Sequence, residues 1–141
     1  MKKILIVSAN YYKEISKNLV SNAKSKLIQN KFLTHILDVP GVYEIPFAIK
    51  KNIKKYDGFV ALGCVIKGET PHFNFICSSV FNSILDLSIS YNKPIGNGII
   101  TALNINQAKN RSTMISKNKQ NKGSEAANAV IMILKNEPKK I

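Results

Sequence analysis

The chain has 141 residues, 45% of them apolar, enough to bury one real core and too few for two comfortable domains, so a single domain over 1–141 is expected. Its net charge of +13 invites a polyanion partner, but the lysines are spread along the chain without an aromatic-rich nucleic-acid motif. With no apolar stretch read as membrane-spanning, neither nucleic acid nor membrane is expected as a partner.

Met1-Lys2-Lys3 opens a short apolar run, Ile4 to Val7, that Ser8-Ala9-Asn10 closes before a signal peptide's apolar region would end. Lys3 to Ser8 therefore reads as a first strand, and a cytoplasmic protein is expected. Ile15, Leu19, Val20, Ala23 and Leu27 recur at helical spacing and predict a helix ending before Asn30. Phe32 to Val39 predicts a second strand with His35 and Asp38 turned outward and His35 without polar partners. Pro40-Gly41 punctuates it, and a helix is predicted from about Glu44 to Lys54.

Tyr56-Asp57-Gly58 leads into the apolar run Phe59 to Ile66, a buried third strand. Thr70 suits an N-cap and Pro71 a first helical position, so a helix is predicted from Pro71 to about Ser90. A fourth strand spans Ile95 to Leu103, a short helix Ile105 to Arg111, and a last helix Gly123 to Leu134. Strands alternating with helices argue for a parallel sheet covered on both faces. Four strands in this span predict a three-layer α/β/α sandwich with a four-stranded parallel sheet and flavodoxin-like winding. Ligands of such sheets bind beyond the carboxyl ends of the strands.

That rim gathers the residues able to do chemistry. His72 falls at a helix start, among free N–H groups that favour anions, with Gly68 permitting close backbone approach. An imidazole there is placed to exchange protons near neutral pH. Glu44 lies at a helix start beside the second strand, and Tyr11 and Tyr12 follow the first strand, where one ring can stack on a flat ligand. Arg111 is the sole arginine among twenty lysines, which points to a task that a point charge does poorly, such as bidentate phosphate binding. Cys64 and Cys77 lack metal or redox spacing and read as buried free thiols. Walker, Gly-x-Gly-x-x-Gly and Gly-x-Ser-x-Gly signatures are missing, as are metal-ligand clusters. The residues describe a cofactor-free, metal-free site that holds a small phosphorylated molecule beside an imidazole.

Three segments then resemble the lumazine synthase family: Val39-Pro40-Gly41-Val42-Tyr43-Glu44-Ile45-Pro46, Leu62 to Phe73, and Asn121-Lys122-Gly123-Ser124-Glu125-Ala126-Ala127. The resemblance implies condensation of 5-amino-6-(D-ribitylamino)uracil with 3,4-dihydroxy-2-butanone 4-phosphate, without a cofactor. It implies that Tyr11 stacks on the pyrimidine and that Val42, Tyr43 and Glu44 line the ribityl pocket. Cys64, Val65 and Ile66 would read the uracil edge through backbone groups. Glu69 and Thr70 would cradle the phosphate, Arg111 and Lys122 would bind it, and His72 would transfer protons.

Three positions depart from the family pattern. Asn97 replaces a bulky apolar residue beside the pyrimidine, Ala102-Leu103 replaces a polar pair, and the loop before Asn121 is longer and lacks glycines. That loop implies a pentamer, or two paired pentamers, rather than an icosahedral shell, with active sites between subunits. A flavin-binding relative without turnover and a polyanion-binding scaffold are the competing readings.

Overall fold

The computed structural model describes residues 1–113 and 121–141. The elements run β1 (Lys3–Ala9), α1 (Lys13–Gln29), β2 (Leu33–Val39), a 3₁₀ turn (Val42–Glu44), α2 (Ile45–Asn52), β3 (Gly58–Ile66), α3 (His72–Tyr91), β4 (Ile95–Ala102), α4 (Ile105–Ser112) and α5 (Lys122–Lys135). All strand pairs are parallel and the order is β2-β1-β3-β4, the flavodoxin-like winding expected from the alternating pattern.

Alternation along each strand splits the core into two layers. Ile4, Ile6, Val60, Leu62 and Ile100 meet Leu19, Ala23, Leu27, Ala108, Ala127 and Val130, from α1, α4 and α5, on one face. Leu5, Val7, Phe59, Ala61 and Ile99 meet Ile45, Ala48, Ile49, Val80 and Ile84, from α2 and α3, on the other. β3, buried over most of its length, is the central strand its unbroken apolar run predicts. β4 forms one edge of the sheet, and α5 seats directly on it. A Cβ on Gly96 would lie 2.2 Å from the Ala126 carbonyl oxygen, so only glycine lets the two backbones approach this closely.

Several boundaries differ from the sequence reading. Phe32 stands just before β2, its side chain in the core. The helix expected from Glu44 begins with the separate 3₁₀ turn, and α2 proper opens at Ile45 with Pro46 in its first turn. α2 closes at Asn52, whose Nδ2 donates back to the Ala48 carbonyl at 2.8 Å. The long loop before Asn121 falls mostly on residues 114–120, outside the described residues.

α3 also corrects a reading. By length and composition its 20 residues could cross a membrane, although no such stretch was read from the sequence. It packs on the sheet through Val80 and Ile84 and leaves Phe75, Leu85 and Ile89 exposed. An amphipathic helix with a second apolar stripe is suited to a second contact surface.

Candidate active site

The carboxyl-end rim is assembled from the segments after β1, β2 and β3. Tyr11 is 76% exposed and stands edge-on to Tyr12, with ring centroids 4.9 Å apart. Val42 is buried while Tyr43 and Glu44 are exposed. A Cβ on Gly63 would sit 2.7 Å from Val42 Cγ1. The missing side chain therefore lets the 3₁₀ turn press onto β3 and fixes where Tyr43 and Glu44 emerge. Cys64 is buried, Val65 and Ile66 are half-buried, and Glu69, Thr70 and His72 are exposed. The Lys67 N–H donates to the Ala102 carbonyl at 2.9 Å, extending the β3–β4 pairing into the turn that carries them.

The start of the helix after this turn is revised. α3 begins at His72 with Pro71 at the N-cap, one residue later than the sequence pattern implies. Thr70 Oγ1 accepts only a long bond, 3.4 Å, from the His72 N–H, because Pro71 takes the cap position and offers no side-chain acceptor. Gly68 has no neighbouring atom within 4 Å of where a Cβ would stand, so the fold itself does not require glycine there.

Arg111 and Lys122 lie elsewhere. A cavity of about 270 Å³ follows the free edge of β4, lined by Phe81, Asn97, Ile99, Ile100, Thr101, Arg111, Lys122 and Glu125. Phe81 comes from α3 on one face of the sheet, and the charged residues come from α4 and α5 on the other. Arg111 Nη1 donates to the Thr101 carbonyl at 2.7 Å, which ties the guanidinium to the strand and leaves its other N–H groups to bind. Lys122 Nζ lies 3.6 Å from Glu125 Oε1. The structure thus brings Asn97, Arg111 and Lys122 together, and His72, Glu44 and Tyr11 do not line their cavity. Sequence reasoning assigned no role to Phe81 or Glu125. No local motif marks them, since they meet only where the sheet edge gathers three helices.

Comparison with known proteins decides the family of this chain. Residues 1–137 match the family model for 6,7-dimethyl-8-ribityllumazine synthase. Proteins of that name from Bartonella bacilliformis and Bartonella henselae are 42% and 43% identical over 136 residues, covering 94% of this chain and 90% and 88% of theirs. The Afipia carboxidovorans protein of that name is 40% identical over 140 residues, covering 94% of this chain and 84% of its own. The chain belongs to the 6,7-dimethyl-8-ribityllumazine synthase family.

Within this lumazine synthase chain, Asn121 fastens the two cationic elements together. It is fully buried. Its Nδ2 donates to the carbonyls of Ser112 at 2.8 Å and Thr113 at 3.1 Å. Its Oδ1 accepts from the N–H groups of Gly123 at 2.7 Å and Ser124 at 3.2 Å. One side chain therefore closes the end of α4, which carries Arg111, and caps the start of α5, which carries Lys122. Asn121→Ala is expected to cost about 2–4 kcal/mol by removing the cap and stranding buried backbone groups. A drop in urea midpoint at unchanged slope would measure it.

The two cysteines differ from each other. Cys64 is buried but Cys77 only half-buried, which corrects the reading of both as buried, because Cys77 lies on the thinly covered α3. Burial pushes the Cys64 thiol up to about 11, since the thiolate would lose its hydration. The unfolded thiol ionises near 9, so folding holds the Cys64 proton between about pH 9 and 11 and this group removes stability as pH rises through that window. Cys64 is expected to resist a thiol reagent at pH 8 until the chain is unfolded; rapid labelling of the native protein would contradict this.

His35 is exposed as expected, but its Nδ1 lies 2.9 Å from the Tyr56 hydroxyl, a polar partner across the turn before β3 that linear spacing concealed. Among the described residues no group of three or more His, Cys, Asp or Glu side chains is arranged to hold a metal ion.

Proposed function

We propose that this chain acts as one domain in a cytoplasmic homopentamer. It would condense 5-amino-6-(D-ribitylamino)uracil with 3,4-dihydroxy-2-butanone 4-phosphate to give 6,7-dimethyl-8-ribityllumazine, phosphate and water. The observation that carries this reading is the division of the site residues. Tyr11, Val42, Tyr43, Glu44, Cys64, Val65, Ile66, Glu69, Thr70 and His72 occupy the carboxyl-end rim, while Asn97, Arg111 and Lys122 occupy the β4 edge cavity. A neighbouring chain docked along that edge joins the two half-sites, and the exposed Phe75, Leu85 and Ile89 of α3 give it apolar surface to bury.

In the joined site Tyr11 stacks on the pyrimidine and Glu44 accepts hydroxyls of the ribityl chain. Backbone groups of Cys64, Val65 and Ile66 read the uracil edge. Glu69 and Thr70 belong to the turn that cradles the phosphate, and Arg111 and Lys122 neutralise it. The pyrimidine 5-amine attacks the butanone carbonyl and forms an imine with loss of one water, phosphate is eliminated, and the second amine attacks the remaining carbonyl and closes the ring with loss of a second water. Holding both substrates in reactive geometry supplies most of the acceleration, up to roughly 7–11 kcal/mol. His72 moves protons to and from the amine and the carbonyl oxygen.

Incubating the purified assembly with both substrates and following product absorbance and fluorescence tests the reading. Turnover is expected; binding of the pyrimidine or a flavin without turnover would favour the non-catalytic relative. Light scattering should report five or ten subunits, and a shell-sized particle would contradict the pentamer.

A further inference from the structure

The cavity on the β4 edge has two chemically distinct ends. Arg111 and Lys122 make one end cationic, and Phe81 is the sole aromatic ring at the other. Phe81 is half-buried and packs against the core layer that contains Val80, Ile84 and Ile99. It stands next to Val80 in sequence, about 100° around the helix from that core-facing position. Asn97, Ile99 and Thr101 alternate along β4 and share the face of the sheet covered by α3. Asn97 Oδ1 accepts from the Ile99 N–H at 3.1 Å, so one end of its amide protects the unpaired strand edge. Its Nδ2 is left as a donor in a cavity that Phe81, Arg111, Lys122 and Glu125 also line.

We infer that Phe81 is a specificity-determining residue for the pyrimidine substrate. It packs against one face of the heterocycle opposite the Tyr11 ring of the neighbouring chain, while Asn97 Nδ2 donates to a ring carbonyl. The inference rests on the transferase reading and adds to it a residue from α3. A flat heterocycle carrying carbonyls next to a phosphoester matches a cavity with a ring wall, an amide donor and a cationic end. Stacking on an aromatic face depends on the ring, so an aliphatic side chain of similar bulk would preserve packing and lose recognition.

The test is steady-state kinetics on the assembled enzyme carrying Phe81→Leu, Phe81→Tyr or Asn97→Ala, varying each substrate in turn. Phe81→Leu is expected to raise KM for 5-amino-6-(D-ribitylamino)uracil by about 5- to 100-fold, with KM for the butanone phosphate changed less than about two-fold. Phe81→Tyr restores the wild-type value, and Asn97→Ala raises the same KM even if the Phe81 variants assemble poorly. An unchanged pyrimidine KM in Phe81→Leu, or equal increases for both substrates, would overturn the inference. Calorimetric titration of the pyrimidine alone into wild-type and Phe81→Leu protein separates the two levels. Ring-dependent binding without any turnover sinks the transferase reading and leaves Phe81 as a heterocycle contact. Turnover with ring-independent binding sinks only the role of Phe81.

Discussion

Arg111→Ala is expected to lower kcat/KM for the butanone phosphate by roughly 30- to 1,000-fold, equivalent to about 2–4 kcal/mol for charge-assisted bonds to a phosphate. The guanidinium is held by the Thr101 carbonyl at 2.7 Å, so its remaining N–H groups need little ordering when the ligand arrives. Lysine keeps the charge but not the planar fork. Arg111→Lys should therefore recover part of the loss, while still weakening the phosphorylated substrate more than the pyrimidine. The measurement is KM for each substrate at saturating levels of the other. Equal losses for both would place Arg111 outside the phosphate subsite.

His72→Asn is expected to reduce kcat by about 10²–10⁴-fold, the usual worth of a positioned acid–base group, with both KM values changed less than about three-fold. The side chain is exposed in the single chain, and asparagine keeps the backbone N–H that donates to Thr70 Oγ1, so the substitution should leave the fold intact. An unchanged thermal midpoint checks that. A variant with wild-type kcat would reduce His72 to a surface residue at a helix start.

The elements were legible because their signals are local. The apolar run from Phe59 to Ile66 and the spacing of Ile15, Leu19, Ala23 and Leu27 need no tertiary information to be read. Each motif on the rim follows a strand, so the carboxyl-end rule was sufficient to locate Tyr11, Glu44 and His72. Tertiary pairings were not legible in the same way. The contact between His35 and Tyr56, the stitching of α4 to α5 by Asn121, and the meeting of Phe81 with Asn97 and Arg111 all join residues remote in sequence. Pro71 shows the limit of local rules. Proline suits the first helical position, yet here it stands at the N-cap and the helix starts one residue later than the Thr70-Pro71 pair implies. Arg111 was found from its rarity among lysines, a signal of composition that carried no information about its neighbours.

The decisive measurement is turnover by mixed assemblies of His72→Asn and Arg111→Ala chains, each separately tagged and purified through both tags. If the imidazole of one chain serves the guanidinium of the next, randomly mixed rings contain intact sites at about one position in four, and should recover about a quarter of the wild-type rate. Each parent assembly alone stays near background. A mixed assembly no more active than the average of its parents would mean that both groups act within one chain, and the account of a site shared between subunits would be wrong.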